Sequence, residues 1–209
     1  MKKHKGLETQ ERLLSTAEAM ILDKGYAGMS LDALLQDTGL TKGAFFYHFK
    51  NKADLALCVL ERYARNDLET FRDWNQRALR LSDDPLQQIE IFLRLFEEYL
   101  DSLNDPPPGC IFASYTHERN QFEDQVRSSI EHNLELWIGI FEERFEAVIA
   151  AYPPRLETTA RTLAELLASM IEGSYVMANA LNDARWNQRQ LEGFRQYLNL
   201  LFTPAARGL

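Results

Sequence analysis

Between residues 126 and 149 the apolar side chains Val126, Ile130, Leu134, Trp137, Ile138, Phe141, Phe145, Val148 and Ile149 recur at spacings of three and four. That is the period of one face of a helix, and no strand satisfies it, because side chains on a strand alternate every two residues. The same spacing runs through most of the chain. Only seven prolines and ten glycines interrupt 209 residues, and the stretches between them are rich in Leu, Ala, Glu, Gln and Arg, which favour helix. An apolar content of 45% is ample for a packed core. The chain therefore predicts an all-α protein of about nine helices.

The punctuation divides it. Thr9 is a plausible N-cap for a first helix through Leu13, Ala17, Met20 and Ile21 to Gly25, where a left-handed residue ends it. Ser30 caps a short "LDALLQDT", Gly39 stops it, and Thr41 caps the next helix two residues later. Two short helices joined through a glycine turn form a helix-turn-helix outline. Asn51 caps a long fourth helix, with Asp54 as its capping-box partner. Asp84-Pro85 opens another, "NDPPPG" at 104–109 is a rigid joint, "CIFASYTHERN" is short, and Tyr152-Pro153-Pro154 ends the long helix through 126–149. Two further helices lie near 156–182 and 187–202.

The stretch "TKGAFFYHFKNK", residues 41–52, mixes four aromatic rings with a cationic fringe. On a helix turning ~100° per residue, Phe45, Phe46 and Phe49 fall within about 100° of one another, with Gly43, Ala44, Tyr47 and His48 opposite. The first face is expected to bury against Leu13, Ile21, Leu34, Leu35 and Leu40. The second lets the backbone approach another body at Gly43 and Ala44, with Tyr47 and His48 offering donors to phosphates or base edges. Lys42, Lys50 and Lys52 surround it. Charge follows the same division: residues 1–52 hold eight Lys or Arg and six Asp or Glu, a balance of +2, so a net −8 leaves −10 for the other 157 residues. A polyanion is expected to meet the amino-terminal quarter alone.

The run "SLDALLQDTGLTKGAFFYHFKNKADL", with "ILDKGYAGM" before it, resembles the DNA-binding domain of TetR-family transcriptional regulators. The resemblance covers about the first 55 residues. It implies a helix-turn-helix DNA-binding domain over 1–52 and an effector-binding and dimerisation domain over 53–209. It also implies operator contacts at Thr41, Lys42, Gly43, Tyr47, His48 and Lys52, with Ala44 where the family often has threonine and Phe46 where it commonly has tyrosine. The last two helices would form the homodimer interface through Leu163, Leu167, Met170, Gly173 and Leu181, with Ala178 and Ala180 permitting close packing; an internal core stripe is the alternative for each leucine. The expected activity is that of a homodimeric repressor released from a palindromic operator by a small-molecule effector.

An effector pocket wants largely apolar walls. Phe92, Phe96, Cys110, Phe112, Tyr115, Trp137, Phe141, Met170 and Tyr175 are the candidates, and they favour a hydrophobic or aromatic ligand. "PPPGC" sets the Cys110 thiol at a helix start, where the dipole favours thiolate and reaction with an electrophile or oxidant. "GCIFASYTHE" resembles a segment of TetR-like regulators, some of which sense reactive compounds by cysteine; simple packing of the thiol is the alternative.

Other classes lack their residues. Histidines at 4, 48, 117 and 132 have no zinc-ligand spacing, and HExxH, GxSxG, P-loop and GxGxxG patterns are absent. No enzyme, metal or cofactor is implied. Two distant cysteines, no apolar leader and no run of ~20 apolar residues point to a cytoplasmic protein away from membranes. The rival reading is a helical ligand-binding protein whose amino-terminal unit binds a protein partner; neutralising Lys42 and Lys52 separates the two.

Overall fold

Five of the described helices begin where a side-chain oxygen accepts one of the amides that no helical carbonyl reaches. Ser30 accepts from Ala33 N at 3.1 Å and starts α2 (Leu31–Thr38), and Thr41 accepts from Ala44 N at 3.2 Å and starts α3 (Lys42–His48). Asn51 accepts from Asp54 N, while the Asp54 carboxylate accepts from Lys50 N, each at 2.8 Å, at the head of α4 (Lys52–Leu81). Asp84 caps α5 (Pro85–Asp101) through Gln87 N at 2.9 Å, and Thr159 caps α8 (Ala160–Leu181) through Thr162 N at 3.1 Å. The remaining helices are α1 (Lys2–Gly28), α6 (Ile111–His117), α7 (Asp124–Ala151) and α9 (Trp186–Phe202), with a 3-10 turn at Arg119–Gln121. The computed structural model describes residues 2–102 and 109–202, and among these the regular structure is helical throughout.

Three expected boundaries move. Thr9 lies inside α1, because nothing in the charged segment before it breaks a helix. α8 starts at Ala160, where Thr159 supplies the cap, rather than near 156. Gly25 does not stop α1 in the left-handed region; it adopts φ 75°, ψ 166°, and kinks the helix. The left-handed stop occurs at Gly39, with φ 62°, ψ 24°, where its amide returns to Gln36 O at 3.2 Å. The triple proline of the expected joint lies outside the described residues.

The chain forms two compact units, Met1–Asp67 with Pro108–Asn133, and Leu68–Pro107 with Leu134–Leu209. The first is larger than the segment 1–52. Its core holds Leu13, Ile21, Leu34, Phe45, Phe49, Leu55 and Val59, and α6 joins it against α1. Tyr115 carries that contact: its ring lies 6.1 Å from Tyr26 and 4.5 Å from Phe122, and its hydroxyl donates to Ala56 O at 3.0 Å. In the second unit Phe71 is the hub of an aromatic cluster, 5.0 Å from Trp137, 5.7 Å from Phe141, 5.9 Å from Phe92 and 6.1 Å from Phe96.

One ion-pair network ties α1 to α4 in the first unit. Arg62, 12% exposed, reaches Glu11 at 2.5 Å and Glu18 at 3.2 Å. Burial pushes the Glu18 carboxyl up, Arg62 opposes this and Glu11 adds to it. A raised folded-state value means Glu18 favours folding most at low pH, and that contribution is lost as pH rises through the folded value. Arg62→Ala removes the compensating charge, so it should cost about 1 to 3 kcal/mol at neutral pH and less near pH 4, where more of Glu18 is neutral. Urea denaturation at the two pH values measures the difference.

Candidate nucleic-acid interface

The geometry of α3 starts from Phe45. Its ring is fully buried and sits 5.6 Å from that of Phe49, which is itself 1% exposed. Phe49, however, has left the helix: its backbone is extended, φ −133°, ψ 135°, at the C-cap. The helical angle expected for Phe49 therefore does not apply, while Phe45 and Phe46 keep their ~100° separation within α3. Phe46 is 56% exposed rather than buried, and it meets Phe45 edge to face at 5.2 Å and 86°.

This turns the exposed face of α3. It consists of Lys42, Gly43, Phe46 and Tyr47, the last 81% exposed, which are neighbours at spacings of one, three and four. Ala44 and His48, expected on that face, are half-buried, and the His48 ring abuts Tyr47 at 4.8 Å. Thr41 is exposed, but its hydroxyl serves as the cap. A Cβ added at Gly43 would meet only Thr41 Oγ1, at 3.8 Å, so the space in front of the backbone is open.

The lysines differ from one another. Lys42 pairs with Asp32 at 3.1 Å with both side chains largely exposed, an arrangement worth little in water. Lys50 is exposed beside the start of α4. Lys52 instead donates to Tyr26 O at 2.6 Å with its ammonium 4.1 Å above the Tyr26 ring. Burial lowers its proton affinity, and the Glu118 carboxylate opposes that shift. Glu118 also accepts from Ala27 N at 2.8 Å, so it holds the last turn of α1 next to Lys52. Gly25 is needed there for its backbone, whose φ of 75° strains any residue with a side chain; a Cβ would also stand 2.4 Å from Glu118 Oε1.

The expected effector residues are divided between the units. Cys110 and Tyr115 belong to the first. Cys110 is 3% exposed at the N-cap of α6, with extended backbone and no side-chain cap bond, and Tyr115 is committed to Ala56. Burial, then Asp54 and Glu61, push the Cys58 thiol up. Phe96, Trp137 and Phe141 lie in the aromatic cluster of the second unit, where Met170 and Tyr175 are half-buried. Sequence reasoning missed Phe71 and Trp74 in that cluster, although Leu68, Phe71, Trp74 and Ala78 carry the spacing of a buried face on α4.

The expected dimer residues also divide. Leu163 and Leu167 are fully buried in the protomer's own core, as is Ala178, so they form no exposed seam. Gly173 and Leu181 are exposed, and the apolar residues that share the surface of α8 with them are Leu166, Val176 and Met177. Leu200 is exposed on α9. Among the described residues no helix is long and apolar enough to cross a membrane, and no three His, Cys, Asp or Glu side chains are grouped to hold a metal ion.

A short helix, anchored by one ring and presenting lysine, bare backbone and aromatic tips after a glycine turn, defines a helix-turn-helix DNA-binding protein. Residues 13–59 match the family model for bacterial regulatory proteins of the tetR family, and residues 85–186 match the LmrA/YxaF-like transcriptional regulator C-terminal domain. The chain belongs to the TetR family of DNA-binding transcriptional regulators, which are not enzymes. It is 30% identical over 117 residues to the transcriptional regulator AcuR of Cereibacter sphaeroides, covering 56% of this chain and 52% of that protein. It is 27% identical over 153 residues to the transcriptional repressor NemR of Escherichia coli, covering 70% and 71%. A TetR-family regulator from Agrobacterium tumefaciens shares the fold with a TM-score of 0.80 at 19% identity, over 95% of this chain and 100% of that one.

Exposure separates the residues free to contact DNA from those that hold the fold. Tyr47→Ala should leave the melting temperature unchanged and weaken specific DNA binding by about 1 to 3 kcal/mol. Phe49→Ala should destabilise the fold by roughly 3 to 5 kcal/mol. Gly43→Ala should raise stability by up to about 1 kcal/mol and, if the α3 face meets DNA, weaken binding, because the added methyl would fill the open space in front of the backbone. Paired melting and DNA-titration measurements on the three variants test this.

Proposed function

We propose that the protein is a homodimeric, cytoplasmic repressor that holds a palindromic operator through α3 and leaves it when a small hydrophobic or electrophilic molecule binds. The observation that carries the reading is the exposed Lys42, Gly43, Phe46 and Tyr47 face set on the buried Phe45. Thr41 and Lys50 flank that face, Ala44 and His48 shape its edge, and Lys52 holds it in place from behind through Tyr26. NemR, a similar protein, is a transcriptional repressor, which supports the sign of regulation.

Two copies would pair through α8 and α9, with Gly173 admitting close approach and Leu166, Val176, Met177, Leu181 and Leu200 covered by the partner. The apolar effector would enter the second unit at Phe96, Trp137 and Phe141, near Met170 and Tyr175. An electrophile would act at Cys110 in the first unit, and the buried thiol must then be reached through an opening of the structure around α6.

Selection of bound duplexes from random DNA tests the whole reading. The selected sequences should contain an inverted repeat with half-sites about one helical turn, ~34 Å, or a little more apart. Val176→Glu should convert the dimer to a monomer in sedimentation and abolish tight operator binding; a monomeric wild type bound to asymmetric DNA contradicts the proposal. For the effector, operator release by a mild electrophile should be lost in Cys110→Ser while release by an apolar ligand persists. Equal release by the electrophile in both proteins removes Cys110 as the switch and leaves the aromatic cluster.

A further inference from the structure

We infer that Phe46 is a specificity-determining residue that reads the 5-methyl group of a thymine in the major groove. The inference rests on the α3 face being the one that meets the duplex. On that face Lys42 and Tyr47 end in polar groups that phosphates and base edges satisfy. Phe46 ends in hydrocarbon, 56% exposed, and has neither donor nor acceptor. Pressed against a phosphate or a base heteroatom, the ring would strip water from a polar group and return no hydrogen bond. The one apolar group on the major-groove edge of a base pair is the thymine methyl.

The ring is also held in place. Its edge-to-face contact with Phe45, at 5.2 Å and 86°, ties it to a residue that is fully buried, so little side-chain freedom remains to be lost on contact. Gly43 lies three residues earlier on the same side with open space before it, so residue 43 puts no side chain between the groove floor and the ring. Each half-site should therefore contain one A·T pair whose thymine methyl packs on Phe46. A cytosine at that position would be rejected for lack of the methyl and accepted when 5-methylated.

The test uses the full-length protein and the duplex selected from random DNA. Each thymine of the half-sites is replaced in turn by deoxyuridine, which removes only the methyl, and affinities are measured for wild type, Phe46→Ala and Phe46→Leu. At one thymine per half-site the wild type should lose about fourfold, the ~0.8 kcal/mol of one buried methyl converted at 1.4 kcal/mol per tenfold. Phe46→Ala should show no loss there, and Phe46→Leu, which keeps an apolar side chain, should show a partial one. Insensitivity of the wild type to every replacement overturns the inference. So does equal sensitivity in wild type and Phe46→Ala, which would assign the ring to the sugar backbone; in both cases preference for the selected over a scrambled duplex leaves the operator face standing. Failure of the wild type to prefer the selected duplex removes the operator face, and the inference falls with it.

Discussion

A helix of seven residues cannot hold itself in water, because the cost of fixing its first turn is never recovered over so few hydrogen bonds. α3 is such a helix, and the buried ring of Phe45 is what keeps it formed. The ring supplies the burial energy that the backbone lacks, while the Thr41 hydroxyl at one end and the Phe49 amide returning to Phe45 O at the other close off its termini. Everything the face presents follows from that single anchor. Because only Phe45 points inward from the helix itself, the residues one and two positions on, Phe46 and Tyr47, are turned to solvent.

The anchor is supported from behind by a cluster in which charge is used for position. Lys52 donates to the Tyr26 carbonyl and lies over its ring, and Glu118 accepts the Ala27 amide on the neighbouring turn. Both groups satisfy backbone atoms at the kinked end of α1, which Gly25 leaves without regular helical partners. A cation spent in this way is costly to withdraw, since its carbonyl would be left partly buried and unpaired. Lys42 is in the opposite situation. Its exposed pair with Asp32 is worth at most about 1 kcal/mol and can be exchanged for a phosphate at little cost.

Much of this was legible in the sequence because it depends on local chemistry. Ser30, Thr41, Asn51 and Asp84 cap helices as their side chains dictate, and Gly39 stops α2 in the conformation that only glycine adopts without strain. What was not legible depends on tertiary packing. Phe46 stands ~100° round α3 from the buried Phe45, at the edge of the expected face, and a helical angle does not say how far round the helix the core extends. Assigning Leu163 and Leu167 to a seam between protomers used an apolar stripe, and periodicity cannot distinguish a protomer's own core from its partner's. Tyr115 was read as a pocket wall, but its hydroxyl is taken by Ala56, 59 positions earlier, a partner no local pattern announces. Residue 52 was a natural boundary in charge and pattern; packing carried the first unit past it and added α6.

The charge division gains meaning once exposure is known. Of the three lysines around α3, two are exposed and one is occupied internally, so the positive field in front of the helix is modest. Such a surface cannot hold DNA by phosphate attraction alone, as strongly basic proteins do. The −10 carried by residues 53–209 further discourages DNA from lying anywhere else on the chain. On the proposed reading, affinity comes instead from shape and direct contact at the helix, where Gly43 leaves bare backbone, Tyr47 a polar ring and Phe46 an apolar ring exposed. A helix-turn-helix protein with so modest a field is expected to bind nonspecific DNA weakly, which leaves more of it free for a specific site.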